Sequence, residues 1–267
     1  MKIRIYLSLI LMAMLPFMTA CSSDSEDNSL SGGVYVSKQS KKLKSYAYKG
    51  QSDEKWIRYD LTYDNKGRLN TIATKNGNYT IDYENKVIRM GSDLAVAESF
   101  ELNSNGFISK IIVKINNLYN NLNIVYNVNY DSNGYLTKIA PPDTEEGSFL
   151  ATYSEYGYNN EDLITGYNRY NKMSYEYICD NNENIGNICI WDKGLTSYYE
   201  MFAILRMVGL FGKTSKHLVF RERQSNSYDS NVYYYHYNLD PDGYVTYAYR
   251  QREDLERKAY EVELSYY

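Results

Sequence analysis

A short phrase recurs along the chain and limits the folds that it can adopt. The clearest copy is Tyr130-Asp131-Ser132-Asn133-Gly134-Tyr135-Leu136-Thr137-Lys138-Ile139. Related copies begin at Tyr63, Leu102 and Leu239, and two weaker ones begin at Tyr158 and Cys179. The Asp or Asn can start a turn by bonding its own backbone, and the Gly supplies the positive φ that closes it. Because the flanking residues are aromatic, β-branched and alternating, each copy predicts the tip of a β-hairpin.

The segments between these turns alternate in polarity, which is typical of strands with one covered and one wet face. Along residues 122–130, apolar and aromatic side chains fall on one face, and asparagines with Val125 fall on the other. In the last predicted strand, Val262 and Leu264 alternate with acidic residues. Hairpin after hairpin without long crossovers predicts a mainly β fold, a single-layer antiparallel meander of about 14 to 17 strands.

One segment predicts a helix inside this sheet. Ser197 and Glu200 match a capping box, and Gly209 or Gly212 can end the helix. Between them only Arg206 is polar, and a helix that is apolar nearly all round must be buried. The sheet is therefore predicted to curve strongly around one helix near residues 198–211. A sheet that crossed a membrane would have a wet interior with nothing for this helix to pack against, so we expect a soluble fold.

The amino terminus predicts an export signal. Lys2 and Arg4 precede an apolar stretch at 5–18, which is too short for a typical membrane span. Thr19 and Ala20 directly before Cys21 resemble the lipobox of bacterial lipoproteins, in which the cysteine sulfur receives a diacylglycerol. The resemblance implies a lipoprotein signal peptide at residues 1–20 and a membrane anchor through lipid on Cys21. The alternative is an ordinary signal that is cleaved nearby.

Behind Cys21, the residues to position 33 predict a lipidated flexible tether, and residues 34–267 a single domain of hairpin repeats. The serine and acidic residues at 22–28 resemble the surface-export tag of many Bacteroidota lipoproteins, although a solvated tether explains them equally well. We therefore expect an outer-membrane location, at the cell surface if the run acts as that tag.

The hairpin phrase is similar to the YD repeat of Rhs-type proteins, in which successive hairpins form one wrapping sheet. Within these repeats, the stretch from Met201 to Lys213, MFAILRMVGLFGK, resembles an uncharacterised family of Bacteroidota lipoproteins with a porin-like fold. This resemblance covers most of the mature chain and implies that fold, but no activity. The copies are few and unevenly spaced and no toxin domain follows, so a complete Rhs-type cage is not expected.

Composition and motifs exclude several classes of function. The net charge of −4 gives no reason to expect a nucleic-acid partner. His217 and His236 each lack a second ligand at useful spacing, so no metal or other cofactor is expected. Gly212-Lys213-Thr214 lacks the first glycine of a phosphate-binding loop. In a simple hairpin Cys179 would face Ile185 and Cys189 would face Tyr175, which predicts no disulfide.

Two features remain as leads to function. Five tyrosines in consecutive predicted strands are the candidate ligand-binding residues, since rings with hydroxyl tips suit sugar or protein surfaces: Tyr233, Tyr235, Tyr237, Tyr247 and Tyr249. The structural alternative is that these tyrosines only cover a thin sheet. Acidic clusters at 143–146 and 253–256 could hold the carboxylate pair of a polysaccharide hydrolase.

The preferred hypothesis is a non-enzymatic envelope protein that binds a glycan or protein partner. A hydrolase and a purely structural envelope component are the alternatives. Exposed sheet edges leave the oligomeric state open.

Overall fold

The computed structural model describes residues 41–75, 77–90, 97–116, 121–141, 154–168, 172–190 and 199–267. The predicted signal peptide, the tether and Cys21 lie outside the described residues.

Sixteen strands and one short helix make up the described residues. The strands are β1 (Leu43–Gly50), β2 (Ile57–Tyr63), β3 (Leu69–Thr74), β4 (Gly77–Asp82), β5 (Val87–Met90), β6 (Ala97–Leu102), β7 (Ile108–Asn116), β8 (Asn121–Tyr130), β9 (Leu136–Ala140), β10 (Ser154–Asn159), β11 (Asp162–Asn168), β12 (Met173–Glu183), β13 (His217–Ser225), β14 (Ser230–Leu239), β15 (Val245–Arg252) and β16 (Lys258–Tyr266). The helix α1 spans Tyr199–Met207, between β12 and β13.

All sixteen strands belong to one antiparallel sheet that is nearly closed on itself. Except for β5 and β6, strands that follow one another in the chain are paired, and β1 pairs with β16. The hydrogen-bonded order starts at β5 and ends at β6. These two strands meet where the Phe100 amide donates to the Lys86 carbonyl at 2.8 Å. The predicted mainly β, antiparallel fold is confirmed, and the result is a barrel-like sheet.

The helix α1 lies in the interior of this sheet. Residues 202–211 are buried, and they share one apolar cluster with inward side chains such as Leu69, Ile108 and Leu136. The helix ends at Met207, before Gly209 and Gly212, whose φ values of 82° and 69° suit the turns that follow. The predicted buried helix is thus confirmed, with a shorter span. Among the described residues, no helix is long and apolar enough to cross a membrane.

The recurring phrase forms the predicted turn in its four clear copies. At Asp131, Oδ1 accepts hydrogen bonds from the amides of Asn133 and Tyr135 at 2.9 and 2.8 Å, and Gly134 has a φ of 83°. The same bonds recur at Asp64, Asn103 and Asp240. Each of these turns follows an even-numbered strand, so all four lie at one end of the sheet, which we call the turn rim.

Tyrosines at the turn rim connect neighbouring strands. The Tyr130 hydroxyl at the end of β8 donates to the Ile108 carbonyl at the start of β7. Four further hydroxyls do the same between other strand pairs: Tyr63 to Leu43, Tyr158 to Leu136, Tyr237 to Val219, and Tyr266 to Val245. Burial raises the pKa of each of these hydroxyls. Many of the tyrosines are therefore part of the framework of the sheet.

The weak copy at Cys179 does not form a hairpin, and its predicted register is wrong. β12 continues to Glu183, and Cys179 pairs with Val219 on β13 instead of facing Ile185. Cys189 is not on a return strand; its Sγ lies 3.6 Å from the Ala203 carbonyl of the helix. Both thiols are free, and burial raises the pKa of each to about 11.

Candidate functional site

The structure does not bring the five predicted tyrosines together. Tyr235 and Tyr237 on β14 lie opposite Arg250 and Ala248, which are buried on the inner face of the sheet. Tyr233 shares that face because side chains two residues apart in a strand point the same way. Tyr247 and Tyr249 on β15 instead lie opposite Glu263 and Glu261, on the outer face. The two groups are thus separated by the thickness of the sheet.

Two of the inner tyrosines, Tyr233 and Tyr235, belong to a polar cluster around the buried Glu222. Its carboxylate accepts hydrogen bonds from the Tyr235 hydroxyl and the Gln224 amide, and one oxygen lies 3.3 Å from Nη2 of Arg250. The Arg250 guanidinium lies 3.5 Å from the centre of the Tyr233 ring. Glu222 and Arg250 are almost completely buried. Since a charge is tolerated inside a protein only when it is paired and hydrogen-bonded, these contacts serve to stabilise the interior.

The outer tyrosines pack against their neighbours in the sheet. The ring of Tyr249 stacks on His236 of β14, with centroids 4.5 Å apart, and Lys258 of β16 lies 4.7 Å from the centre of the same ring. Because β15 runs between β14 and β16, the ring of Tyr249 is in contact with side chains from both neighbouring strands. The Tyr247 hydroxyl donates to Glu261. This arrangement favours the covering role for Tyr249 over the stacking of a ligand on its ring.

A cavity of about 340 Å³ opens at the turn rim instead. One wall comes from the segments that flank the helix, and the other from the beginning of β1 and the ends of β2 and β16. Its aromatic and charged lining residues are Tyr63, Tyr135, Tyr266, Lys41, Lys42, Lys213, Lys216, Glu161 and Glu183. None of the five predicted tyrosines lies in this wall.

The segment after the helix, residues 208–216, is hydrogen-bonded to one side of the rim. The amides of Ile108 and Leu136 donate to the carbonyls of Leu210 and Lys213, at 2.8 and 3.2 Å. The Lys213 amide donates back to Gly134. These bonds tie the segment 208–216 to β7, β9 and the turn between β8 and β9. The cavity lies on the opposite side, towards β1 and β16.

Two asparagines of the cavity wall hold this segment in place. Asn187 Nδ2 donates to the carbonyls of Arg206 and Gly212 at 2.7 and 3.0 Å, and its Oδ1 accepts from the Thr214 amide at 2.9 Å. Asn184 bonds the backbone of Ile188 through both its Nδ2 and its Oδ1. The polar atoms of both side chains are thus engaged within the protein, so recognition of a ligand would fall to the lysines, glutamates and tyrosines.

Two lysines of the cavity wall are paired with carboxylates of the protein. Lys41 Nζ lies 2.7 and 2.5 Å from carboxylate oxygens of Asp240 and Asp242. Lys216 pairs with Glu161 at 3.5 Å. The hydrogen bond from Lys41 holds the pKa of Asp240 below its usual range.

The two remaining ammonium groups lie over aromatic rings. Lys42 Nζ is 5.2 Å from the centre of the Tyr63 ring, and Lys213 Nζ is 5.2 Å from the centre of the Tyr135 ring. The Tyr135 hydroxyl also bonds Glu161. The wall therefore presents fixed donors and fixed acceptors side by side.

The other candidates from the sequence are distributed over the surface. His217 pairs with Asp162 at 2.9 Å. Glu253 accepts from Tyr234, and Asp254 pairs with Arg252, whereas the cluster at 143–146 lies outside the described residues. Within the described part of the chain, no group of three or more His, Cys, Asp or Glu residues is arranged to hold a metal ion.

No family model matches the chain, and no curated protein matches it either. Solved structures do. A porin-like protein from Bacteroides uniformis superposes with a TM-score of 0.66 at 16% identity, over 85% of this chain and 99% of that one. A porin-like protein from Bacteroides vulgatus gives a TM-score of 0.55 at 12% identity, with the same coverage. At these identities the likeness concerns the fold alone, and it confirms the predicted porin-like architecture.

Proposed function

We propose that the chain is a lipid-anchored, non-enzymatic binding module of the bacterial envelope and that it binds a glycan in the rim cavity. The observation that carries this proposal is the cavity itself. Its volume of about 340 Å³ falls within the range of about 300 to 1,000 Å³ that is typical of ligand sites. Its wall combines three tyrosines with lysines and glutamates, so apolar surface and hydrogen-bonding groups converge on the same space.

A sugar suits this combination of groups. Pyranose rings have patches of C–H bonds that pack on aromatic side chains, and their hydroxyls need both donors and acceptors. The tyrosines of the wall are held rigidly, since Tyr63 and Tyr266 donate to backbone carbonyls. Rigid side chains lose little conformational entropy when a ligand binds, which favours affinity.

Binding by purified residues 34–267 to a glycan array tests the proposal, with Lys42→Ala and Lys44→Ala as a matched pair. Lys42 lines the cavity, whereas Lys44 is exposed over the ring of Tyr267. Loss of a charge-assisted hydrogen bond should lower the affinity of Lys42→Ala by about tenfold or more. Lys44→Ala should bind like the parent. Equal affinities for both variants, or capture of an envelope protein without any glycan, would contradict the site.

We place the outer face of a single-layer, strongly curved sheet in water, with attachment to the outer membrane through lipid on Cys21. Several outer-face positions carry charges, among them the pair Arg58 and Asp60, and the pair Arg223 and Glu176. An arginine or lysine that faces lipid costs about 2 to 4 kcal/mol at the bilayer midplane, so these positions favour a water-exposed face.

Two measurements test this placement. Residues 34–267 should stay soluble without detergent, and Cys21→Ala should abolish labelling of the full chain by a radioactive fatty acid. Precipitation of residues 34–267 in the absence of detergent, or unchanged labelling of the variant, would refute it.

A hydrolase is the second candidate because Glu161 and Glu183 line the same cavity, as a glycosidase pair would. Against it, Glu161 is already engaged by Lys216 and Tyr135. The binding proposal predicts that no reducing ends are released from a glycan that the protein binds. Release that is lost in Glu183→Gln would establish the hydrolase instead. A protein that binds no ligand but whose deletion weakens the envelope would be a structural component.

A further inference from the structure

We infer that the rim cavity selects a neutral sugar over an acidic one. The inference rests on the proposed function, since it specifies the ligand of the same site. It follows from how the charges in the wall are already balanced within the protein.

The positive charges of the wall have partners at short range. Lys41 lies between two carboxylates, those of Asp240 and Asp242, and Lys216 pairs with Glu161. Lys42 and Lys213 lie over tyrosine rings, where the ring quadrupole stabilises an ammonium group. At Lys41 and Lys216, an incoming anion would therefore compete with carboxylates that are already in place.

The negative charges of the wall oppose an anion directly. Glu161 and Glu183 both line the cavity, and Asp240 and Asp242 lie just behind Lys41. A carboxylate or sulfate on a sugar would meet the two glutamates at short range, and like charges in a partly enclosed site repel each other. The same glutamates are good partners for a neutral ligand, because a hydroxyl can donate to them.

Hydroxyl groups complement a wall of alternating donors and acceptors. Each hydroxyl is one donor and two acceptors, whereas a carboxylate only accepts. A neutral sugar can thus accept from Lys42 or Lys213 and donate to Glu183 with neighbouring hydroxyls. An acidic sugar has one hydroxyl donor fewer to offer to the glutamates of the wall.

Matched pairs of methyl glycosides test the inference: glucose with glucuronic acid, galactose with galacturonic acid, and mannose with mannuronic acid. The members of each pair differ only at C6. Binding to residues 34–267 is measured by saturation-transfer NMR and calorimetry. We expect the neutral member of a bound pair to bind about tenfold more tightly, and its affinity to change little between about 50 and 500 mM salt.

Glu183→Gln is the informative variant, and Glu176→Gln is its control. Both residues lie on β12, but Glu176 pairs with Arg223 on the outer face. Removal of the Glu183 charge should reduce the ratio of affinities for the neutral and the acidic glycoside by several fold. The control should leave this ratio unchanged. Tighter binding of the acidic members, with affinity that falls steeply in salt, would overturn the inference while leaving the proposed function intact. Failure of every glycoside to bind would overturn the proposed function and this inference together.

Discussion

The hydroxyl of Tyr130 donates a hydrogen bond of 2.7 Å to the backbone carbonyl of Ile108. The two residues lie 22 positions apart, at the end of β8 and the start of β7. In the three copies of the phrase that begin with tyrosine, at Tyr63, Tyr130 and Tyr158, the first residue makes such a hydrogen bond between strands. Cys179 takes this place in β12, where its Sγ lies 3.6 Å from the Leu163 carbonyl.

Loss of one of these hydrogen bonds between strands should destabilise the fold modestly. Tyr130→Phe keeps the ring and loses the hydroxyl, so we expect the free energy of unfolding to fall by about 1 kcal/mol. Tyr228→Phe is the control, because Tyr228 is 97% exposed. Chemical denaturation of residues 34–267 measures both. Equal stability of the two variants would show that the hydrogen bond of Tyr130 contributes nothing to the free energy of unfolding.

The buried ion pair between Glu222 and Arg250 should respond strongly to the loss of one partner. Glu222→Leu leaves the Arg250 guanidinium buried without its carboxylate, which should lower the free energy of unfolding by about 3 to 5 kcal/mol. Addition of Arg250→Met removes that charge as well and should restore part of the loss. Simple additivity of the two single effects would argue against the pairing.

Two glycines with similar backbone conformations should differ in their tolerance of a side chain. Gly67 and Gly212 have φ values of 78° and 69°, so alanine is strained at both. A Cβ at Gly212 would lie 2.5 Å from the Gly134 carbonyl oxygen, whereas at Gly67 it would meet only the flexible end of Lys42. Gly67→Ala should therefore cost about 1 kcal/mol and Gly212→Ala clearly more, by thermal or chemical unfolding. The reverse order would be inconsistent with the segment 208–216 packing against the rim.

Alkaline pH should destabilise the fold through its buried tyrosines. Burial raises the pKa of Tyr156 to about 12, while the nearby Arg206 opposes that rise. The folded state thus favours the neutral hydroxyl, whose pKa in an unfolded chain is about 10. The stabilisation is fully present below pH 10 and is lost as the pH rises through the folded value. In a pH titration followed by tyrosinate absorbance, a group of tyrosines should ionise at clearly lower pH in guanidinium chloride than in the native protein.

The two described cysteines should remain reduced and react slowly. Burial raises the pKa of the Cys179 and Cys189 thiols to about 11, so few thiolates exist at neutral pH. In residues 34–267, titration without reductant should find two thiols after denaturation and a much slower reaction in the native protein. A result of zero thiols after denaturation would mean that the pair forms a disulfide.

The sequence predicts those turns and helices that are determined by residues close together in the chain. The turns at Asp64 and Asp131 follow from an Asx side chain and a Gly within five positions, and the buried helix follows from its apolar composition. The copy at Cys179 has Glu183 where the four clear copies have Gly, and it forms no hairpin there. The turn moves to 184–187, where Asn187 adopts a φ of 52°.

Contacts between distant parts of the chain cannot be predicted from such local patterns. The rim cavity depends on the segment 208–216 crossing to Ile108 and Leu136, about 100 and 75 positions earlier, which no local pattern encodes. The division of the five tyrosines between two faces can be predicted in part from the sequence. Side chains two residues apart in one strand lie on the same face of the sheet. Whether the two groups share a face depends on the register between β14 and β15, and a shift of one residue would place all five tyrosines on the same face.

The pairing of β1 with β16 has a consequence for the order of folding. Ser45 and Ser265 share a hydrogen bond although 220 positions separate them. Contacts of such long range form slowly, since the entropy of closing a large loop opposes them. As the chain emerges from a ribosome or an export channel, β1 can pair with β2 at once but must wait for β16 on its other side. The pairing of β1 with β16, which joins the two halves of the sheet, is therefore a late event. Until β16 arrives, β1 exposes a strand edge that a chaperone could bind.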